Sequence, residues 1–107
     1  MNEATKKIDL DAKQLVIVGD ILFAHVPECD VWVFGSRING KAKPASDLDL
    51  AIVCEKPIDS QVLGVMEDVF SESDLPIKVD LVDLNRVDES FRKIIEAQRV
   101  LLQSAKN

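Results

Sequence analysis

The sequence predicts an α/β protein: a small mixed β-sheet of at least three strands, with helices packed mainly on one face and a functional cleft on the other. Two observations support this class. Three short segments have the composition or alternation of strands, and three longer segments carry apolar residues at helical spacing. The 107 residues are enough for one core, so a single domain is expected over 1–107, with 1–7 and 104–107 frayed.

The first half of the chain predicts a helix, a strand and a loop, in that order. Apolar residues recur at helical spacing between Asp11, which can cap a helix, and Pro27, which stops one. The β-branched and aromatic residues 30–34 (DVWVF) favour a strand that ends in a tight turn at Gly35. Two glycines and a proline in residues 35–46 (GSRINGKAKPAS) predict a loop with one short helical turn.

The second half predicts two more strands, each followed by a helix. Residues 47–54 (DLDLAIVC) begin with strict polar and apolar alternation, which indicates the second strand. An apolar stripe over residues 62–70 predicts a helix that the sequence SESDLP at 71–76 ends. Residues 77–82 (IKVDLV) predict the third strand, and the apolar periodicity of residues 87–102 predicts a final helix.

The composition excludes several classes of protein. Nineteen acidic residues against 13 Lys and Arg give a net charge of -6, which argues against direct, sequence-independent binding to nucleic acid. No apolar run exceeds five residues, whereas about 20 are needed to cross a membrane. Residues 1–10 lack the apolar segment of a secretory signal, so a cytoplasmic location is expected.

The two cysteines, Cys29 and Cys54, are too few for a disulfide framework. Neither lies in a CxxC motif or beside a histidine, so their spacing gives no sign of a metal site. We therefore expect free thiols rather than a bridge.

Three aspartates interrupt strands that are otherwise apolar. Asp47 and Asp49 lie two residues apart on the second strand, so their carboxylates project from one face and repel each other. On the third strand Asp80 lies between apolar neighbours and off the face that the apolar residues bury. If the two strands are neighbours, three carboxylates converge, and oxygen ligands of this kind suit Mg²⁺ or Mn²⁺.

These assignments have structural alternatives. Asp47 and Asp49 could line the solvated face of an edge strand. Asp80 could be a surface residue, in which case Asp83 or Asp88 would supply the third carboxylate.

The loop between the first two strands concentrates positive charge beside these aspartates, with no acidic residue of its own. Its glycine permits close backbone approach, and successive amides in such a turn bind anions. The candidate triphosphate ligands are Gly35, Ser36, Arg37, Lys41 and Lys43. Pairing of the arginine with an acid and ordinary solvation of the lysines are the alternatives, and Ser46 is expected to brace the turn ahead of the aspartates.

The combined pattern resembles the DNA polymerase β-like nucleotidyltransferase superfamily: Gly35-Ser36, ten residues, Asp47-x-Asp49, and Asp80 on a later apolar strand. The short chain is similar to the minimal nucleotidyltransferases of that superfamily, the MntA-like antitoxins paired with HEPN-domain toxins. The resemblance runs from the first helix to the last and implies the minimal nucleotidyltransferase fold.

The resemblance implies a role for each motif residue. Asp47 and Asp49 would hold two Mg²⁺ ions, with Mn²⁺ as a substitute, and Asp80 would complete the metal site and help to deprotonate the attacking hydroxyl. The backbone of Gly35 and Ser36 would bind the β and γ phosphates of ATP. The loop cations Arg37, Lys41 and Lys43 would neutralise the triphosphate.

The resemblance also implies a reaction and a partner. Such an antitoxin transfers AMP from ATP to a tyrosine of its HEPN toxin, and this chain has no tyrosine of its own. The alternatives are an aminoglycoside-type small-molecule nucleotidyltransferase that needs a partner subunit, a non-catalytic ATP-binding regulatory subunit, and a plain interaction module. A dimer and a hetero-oligomer are both compatible with the apolar surfaces that the pattern predicts.

Overall fold

The computed structural model describes residues 8–106 and contains a four-stranded mixed sheet with three helices over that range. One short 3₁₀ turn lies in the loop where a helical turn was predicted. The elements in chain order are α1 (Ala12–His25), β1 (Asp30–Phe34), the 3₁₀ turn (Gly35–Arg37), β2 (Leu48–Val53), α2 (Ser60–Glu72), β3 (Val79–Asp83), α3 (Glu89–Ala97) and β4 (Val100–Gln103).

The strands lie in the order β3-β2-β1-β4. Strand β1 is antiparallel to both β2 and β4, whereas β2 and β3 run parallel. The parallel pair requires a crossover, which α2 provides. The mixed sheet predicted from the sequence is confirmed.

Helices α1 and α2 cover one face of the sheet and enclose the larger core. Every second residue of β2, from Leu48 through Leu50 to Ile52, is fully buried against this layer. Helix α3 lies on the opposite face, where Ile95 joins a smaller cluster with Trp32 of β1. Two of the three helices thus share one face, as the sequence predicted, while the second face is only partly covered.

The cap predicted for the first helix is present. The backbone amide of Gln14 donates to the Asp11 carboxylate, and the Gln14 side chain accepts from the Asp11 amide. This reciprocal arrangement satisfies two amides that the first helical turn leaves without partners. Over residues 8–106, the structure contains no helix with the length and apolar character needed to span a membrane.

The prediction of a final helix over 87–102 is wrong at its C-terminal end. Helix α3 stops at Ala97, and residues 100–103 form the edge strand β4. Val100 and Leu102 pack on the α1 side of the sheet, whereas Leu101 is the ladder partner of Trp32 and lies on the other face. The apolar residues of this run therefore alternate between the two faces of an edge strand.

Residues 104–106 also differ from the expectation of a frayed end. The amide of Ala105 donates to the Asp30 carboxylate, and the amide of Lys106 donates to the carbonyl of Pro27. The expected fraying of residues 1–7 and 107 falls outside the described residues.

The expectation of free thiols is contradicted, because Cys29 and Cys54 form a disulfide. Cys29 precedes β1 and Cys54 follows β2, so they continue the ladder that pairs Asp30 with Val53. Their Cα atoms are 4.6 Å apart, a separation typical of facing antiparallel residues. The register of two strands brings the cysteines together, which spacing in the sequence alone does not reveal.

We predict that reduction of this disulfide lowers the stability of the isolated protein. The bridge spans 25 residues, and a loop of that length corresponds to about 3 kcal/mol of unfolding free energy. For a domain of this size the melting temperature should fall by roughly 10–20 °C in a phosphine reductant. The Cys54→Ser variant should melt at one temperature with or without reductant. Two titratable thiols in the denatured, unreduced protein would contradict the bridge.

Candidate active site

The three predicted carboxylates lie at one end of two neighbouring parallel strands. In the parallel ladder of β2 and β3, Asp49 is the partner of Asp80. Asp47 precedes β2 by one residue and is exposed. The fold thus brings together the residues that the sequence singled out.

The surroundings of Asp49 disfavour the charged form of its carboxyl group. Burial is the largest cause raising the pKa of Asp49 above its ordinary value, and the negative charges of Asp80 and Asp47 raise it further. Both effects disfavour a charged carboxylate that has no nearby cation. The position is therefore one where a bound cation would be stabilised.

Gly35 lies directly against this group. It follows β1 with a positive φ of 82°, a backbone conformation that residues with a Cβ rarely adopt. A Cβ at this position would collide with Oδ2 of Asp49. The register that pairs Phe34 with Asp49 causes this approach, so the turn at Gly35 and Ser36 borders the carboxylates.

The two alternative third carboxylates have structural roles instead. Asp83 is buried and accepts hydrogen bonds from the amides of Ile58 and Asn85 and from Arg86. Asp88 is the N-cap of α3: the Phe91 amide, and secondarily the Ser90 hydroxyl, hold the pKa of its carboxyl below the ordinary value. Asp80 remains as the partner of Asp49.

Asp80 has one neighbour that the sequence reasoning missed. The Lys78 ammonium lies 3.6 Å from Oδ1 of Asp80, with the two side chains 72% and 43% exposed. An exposed pair of this kind contributes little to stability and exchanges readily. Asp80 therefore stays accessible to other groups.

The predicted phosphate contact of Arg37 does not fit its position. The residue is only 6% exposed, and its guanidinium donates to the backbone carbonyls of Asp9, Pro44 and Ser46. An arginine in this loop predicted an anion ligand, but the Arg37 side chain is buried and its guanidinium is bonded to backbone carbonyls.

The two other cations of this loop lie at the protein surface. Lys41 and Lys43 are exposed, and their backbone amides close local turns by donating to Asn39 Oδ1 and Ser46 Oγ. The bracing role predicted for Ser46 is thus seen directly. Nothing in these contacts assigns either ammonium group to a ligand.

The oxygen-only donor set fits a hard divalent cation. Among residues 8–106 no three ligating side chains yet converge closely enough to hold a metal. A shared cation would offset the repulsion between the carboxylates of Asp47, Asp49 and Asp80. The chemistry of the donors therefore agrees with a metal-binding role.

The part of the chain that contains this turn and these carboxylates matches a known protein family. The family described as Polymerase beta, Nucleotidyltransferase matches residues 27–107, which include every one of these side chains. The chain belongs to the polymerase β nucleotidyltransferase family. The family resemblance inferred from the sequence is confirmed.

Individual members of this nucleotidyltransferase family are similar over most of the chain. The probable protein adenylyltransferase MntA of Haemophilus influenzae is 47% identical over 97 residues, covering 91% of this chain and 85% of that protein. A crystal structure of a toxin-antitoxin with AMP-PNP matches with a TM-score of 0.73 at 22% identity, over 86% of this chain and 74% of that one.

A second solved structure is also similar in fold to this chain. It contains a tri-AMPylated Shewanella oneidensis HEPN toxin in complex with an MNT antitoxin. The match has a TM-score of 0.67 at 21% identity and covers 87% of this chain and 71% of that one. At this identity the match confirms the fold.

Two glycine variants should separate the cost of backbone strain from the function of the site. Gly35 and Gly40 both have positive φ, and alanine at either position should cost about 1 kcal/mol of unfolding free energy. Only Gly35→Ala meets Asp49, because nothing lies within 4 Å of a Cβ at Gly40.

We expect both variants to lose stability, measured by urea unfolding, and Gly35→Ala to lose more, because its Cβ also displaces the Asp49 carboxylate. A nucleoside triphosphate with Mg²⁺ should raise the melting temperature of the Gly40→Ala protein but not that of Gly35→Ala, since ligand binding stabilises the folded state. An undiminished shift for Gly35→Ala would contradict the placement of the nucleotide at this turn.

Proposed function

We propose that this chain is a Mg²⁺-dependent adenylyltransferase that transfers AMP from ATP to a tyrosine of a cognate HEPN-domain toxin, and so acts as the antitoxin. The observation that carries the proposal is the contact of the Gly35 turn with Asp49. The 47% identity to a probable protein adenylyltransferase supports the same reaction, and one solved structure of similar fold is a HEPN toxin in complex with an MNT antitoxin.

In the proposed complex, Asp47 and Asp49 hold two Mg²⁺ ions, for which Mn²⁺ can substitute, and Asp80 completes one of the two sites. When bound, the ions supply positive charge that offsets the charge of the triphosphate and of the attacking oxygen. The amides of Gly35 and Ser36 bind the β and γ phosphates. Lys41 and Lys43, exposed in the same loop, are the candidate counter-charges for the triphosphate.

Asp80 acts as the general base in this proposal. Its carboxylate takes the proton of the tyrosine hydroxyl as the phenolic oxygen forms a bond to the α-phosphorus. The bond from the α-phosphorus to the bridging oxygen breaks, and pyrophosphate leaves with the electron pair. The chain contributes positioning and charge stabilisation, with no covalent enzyme intermediate.

The acceptor comes from outside the chain, which contains no tyrosine. Asp47 is exposed and the Asp80 side chain is 43% exposed, so a protein surface can reach the carboxylates. We propose a hetero-oligomer with the toxin, in the cytoplasm where ATP is abundant. Disulfides are rare in the cytosol, so we expect the Cys29–Cys54 bridge to be reduced in that compartment.

The reaction is tested with ATP, Mg²⁺ and the purified HEPN-domain protein encoded beside this chain. Intact mass spectrometry should show the toxin gaining the mass of AMP. The double variant Asp47→Asn with Asp49→Asn should give no gain, because it removes both charges that hold the metal. Asp68→Asn, which neutralises an exposed aspartate on α2, is the matched control and should behave as wild type.

The outcomes separate the proposal from its alternatives. Toxin inhibition without any mass gain would indicate a non-catalytic regulatory subunit. A gain on a small aminoglycoside-type acceptor, and none on the toxin, would indicate a small-molecule transferase. An equal gain with the double variant would place catalysis elsewhere.

Asp80→Asn should separate catalysis from nucleotide binding. The amide keeps the shape of the side chain but can neither accept the proton nor add its charge to the metal site, so kcat should fall by roughly 100- to 10,000-fold. The KM for ATP should change far less. A variant that keeps its kcat but requires much more ATP would assign Asp80 to nucleotide binding rather than to proton transfer.

A further inference from the structure

The side chain of Arg37 is buried where a phosphate ligand would be exposed. It leaves the 3₁₀ turn next to Ser36 and is 6% exposed. Its Nη1 donates to the carbonyl of Asp9 at 3.0 Å, and its Nη2 donates to the carbonyls of Pro44 and Ser46 at 3.1 and 2.7 Å. One guanidinium thus connects three segments of backbone.

The segment on one side of this guanidinium is anchored in the core. Asp9 lies between Ile8 and Leu10, which are 2% and 8% exposed. The Asp9 amide donates back to the carbonyl of Arg37 at 2.7 Å, so side chain and backbone together form a two-way connection. The Asp9 end of this connection is therefore held in place by the hydrophobic core.

The segment on the other side leads directly into the carboxylate site. Ser46 precedes Asp47, and its turn is closed by two further bonds: the Lys43 amide donates to Ser46 Oγ, and the Ser46 amide donates to the Lys43 carbonyl. The Ser46 carbonyl, which accepts from Arg37, thus belongs to the peptide bond that leads into Asp47.

We propose that Arg37 is a positioning residue, which fixes the loop ending at Asp47 against the turn at Gly35 and Ser36 and does not contact the triphosphate. The effect on catalysis rests on the proposed function, whereas the effect on loop structure does not. The buried connection sets the separation between phosphate-binding amides and metal-binding carboxylates.

Arginine is suited to this position for a geometric reason. Its planar guanidinium presents several N–H donors in fixed directions, whereas a lysine ammonium is a compact point charge on a flexible stem. Within residues 8–106 the buried Nε of Arg37 has no hydrogen-bond partner, so the three carbonyls determine its orientation. A lysine ammonium can also bind a phosphate, as a point charge, but it cannot reproduce the planar set of donors that reaches these three carbonyls.

The variant Arg37→Lys distinguishes the two roles because it retains the charge. For a positioning residue, kcat should fall on the order of 100-fold while the KM for ATP stays within about two-fold. Arg86→Lys is the matched control, since the Arg86 guanidinium also connects separate segments of the chain, donating to the Asp83 carboxylate and the Ile58 carbonyl, away from the site. The control should keep its kcat. Near-wild-type kcat in Arg37→Lys, or a raised KM alone, would overturn the proposal.

Hydrogen exchange measures the loop without any reaction. In Arg37→Lys the amides of Asp9 and Ser46 should exchange faster than in wild type, while the amides of α2 keep their protection. Unchanged exchange would overturn the positioning role. If wild type transfers no AMP, the proposed function fails, and this measurement still decides the role of Arg37.

A measurement on the wild-type protein covers the case in which the variant does not fold. The Nε–Hε NMR signal of Arg37 should stay in place when Mg²⁺ and a non-hydrolysable ATP analogue are added, while the amide signals of Gly35 and Ser36 move. A shift of the arginine signal as large as theirs would overturn the proposal in favour of a phosphate ligand.

Discussion

The antiparallel register of β1 and β2 is the constraint on which the other features of the molecule depend. At one end it pairs Phe34 with Asp49, which brings the Gly35 backbone against the carboxylate. At the other end it brings Cys29 and Cys54 within bonding distance. A slip of one residue would turn the buried face of β2 towards the opposite side of the sheet, so the hydrophobic core fixes this register. The site inherits its geometry from core packing.

The carboxylates of Asp47, Asp49 and Asp80 repel one another at the positions where the sheet places them. Burial and the negative charges of Asp80 and Asp47 raise the pKa of Asp49, so the charged carboxylate is less favourable at this position than in water. Such local conflicts are typical of functional sites, where an otherwise consistent sequence departs from what stability alone favours. A divalent cation would relieve this repulsion, so in the proposed function the same residues that cost stability supply the chemistry.

The sequence predicted the parts of the fold and site that depend on local pattern. Alternation identified the strand that carries Asp80, and its placement beside Asp49 followed from assuming that two strands are neighbours. Strand β4 was missed because residues 100–103 follow a helix without a proline or glycine to mark the break. The bridge between Cys29 and Cys54 depends on a register that no local pattern specifies. Arg37 has the residue type of an anion ligand, but its direction depends on segments distant in the chain.

The bonds that Arg37 makes also determine where the chain can change length. They hold the loop between β1 and β2 at its start and at residues 44–46, and the stretch between, around Gly40, is exposed with open space beside it. Extra residues there would add little closure entropy and leave both ends in place. One extra residue inside β2 would reverse the faces of all that follow. Evolution can therefore remodel the rim of the candidate site through this stretch while the Gly35 turn and the aspartates keep their relative positions.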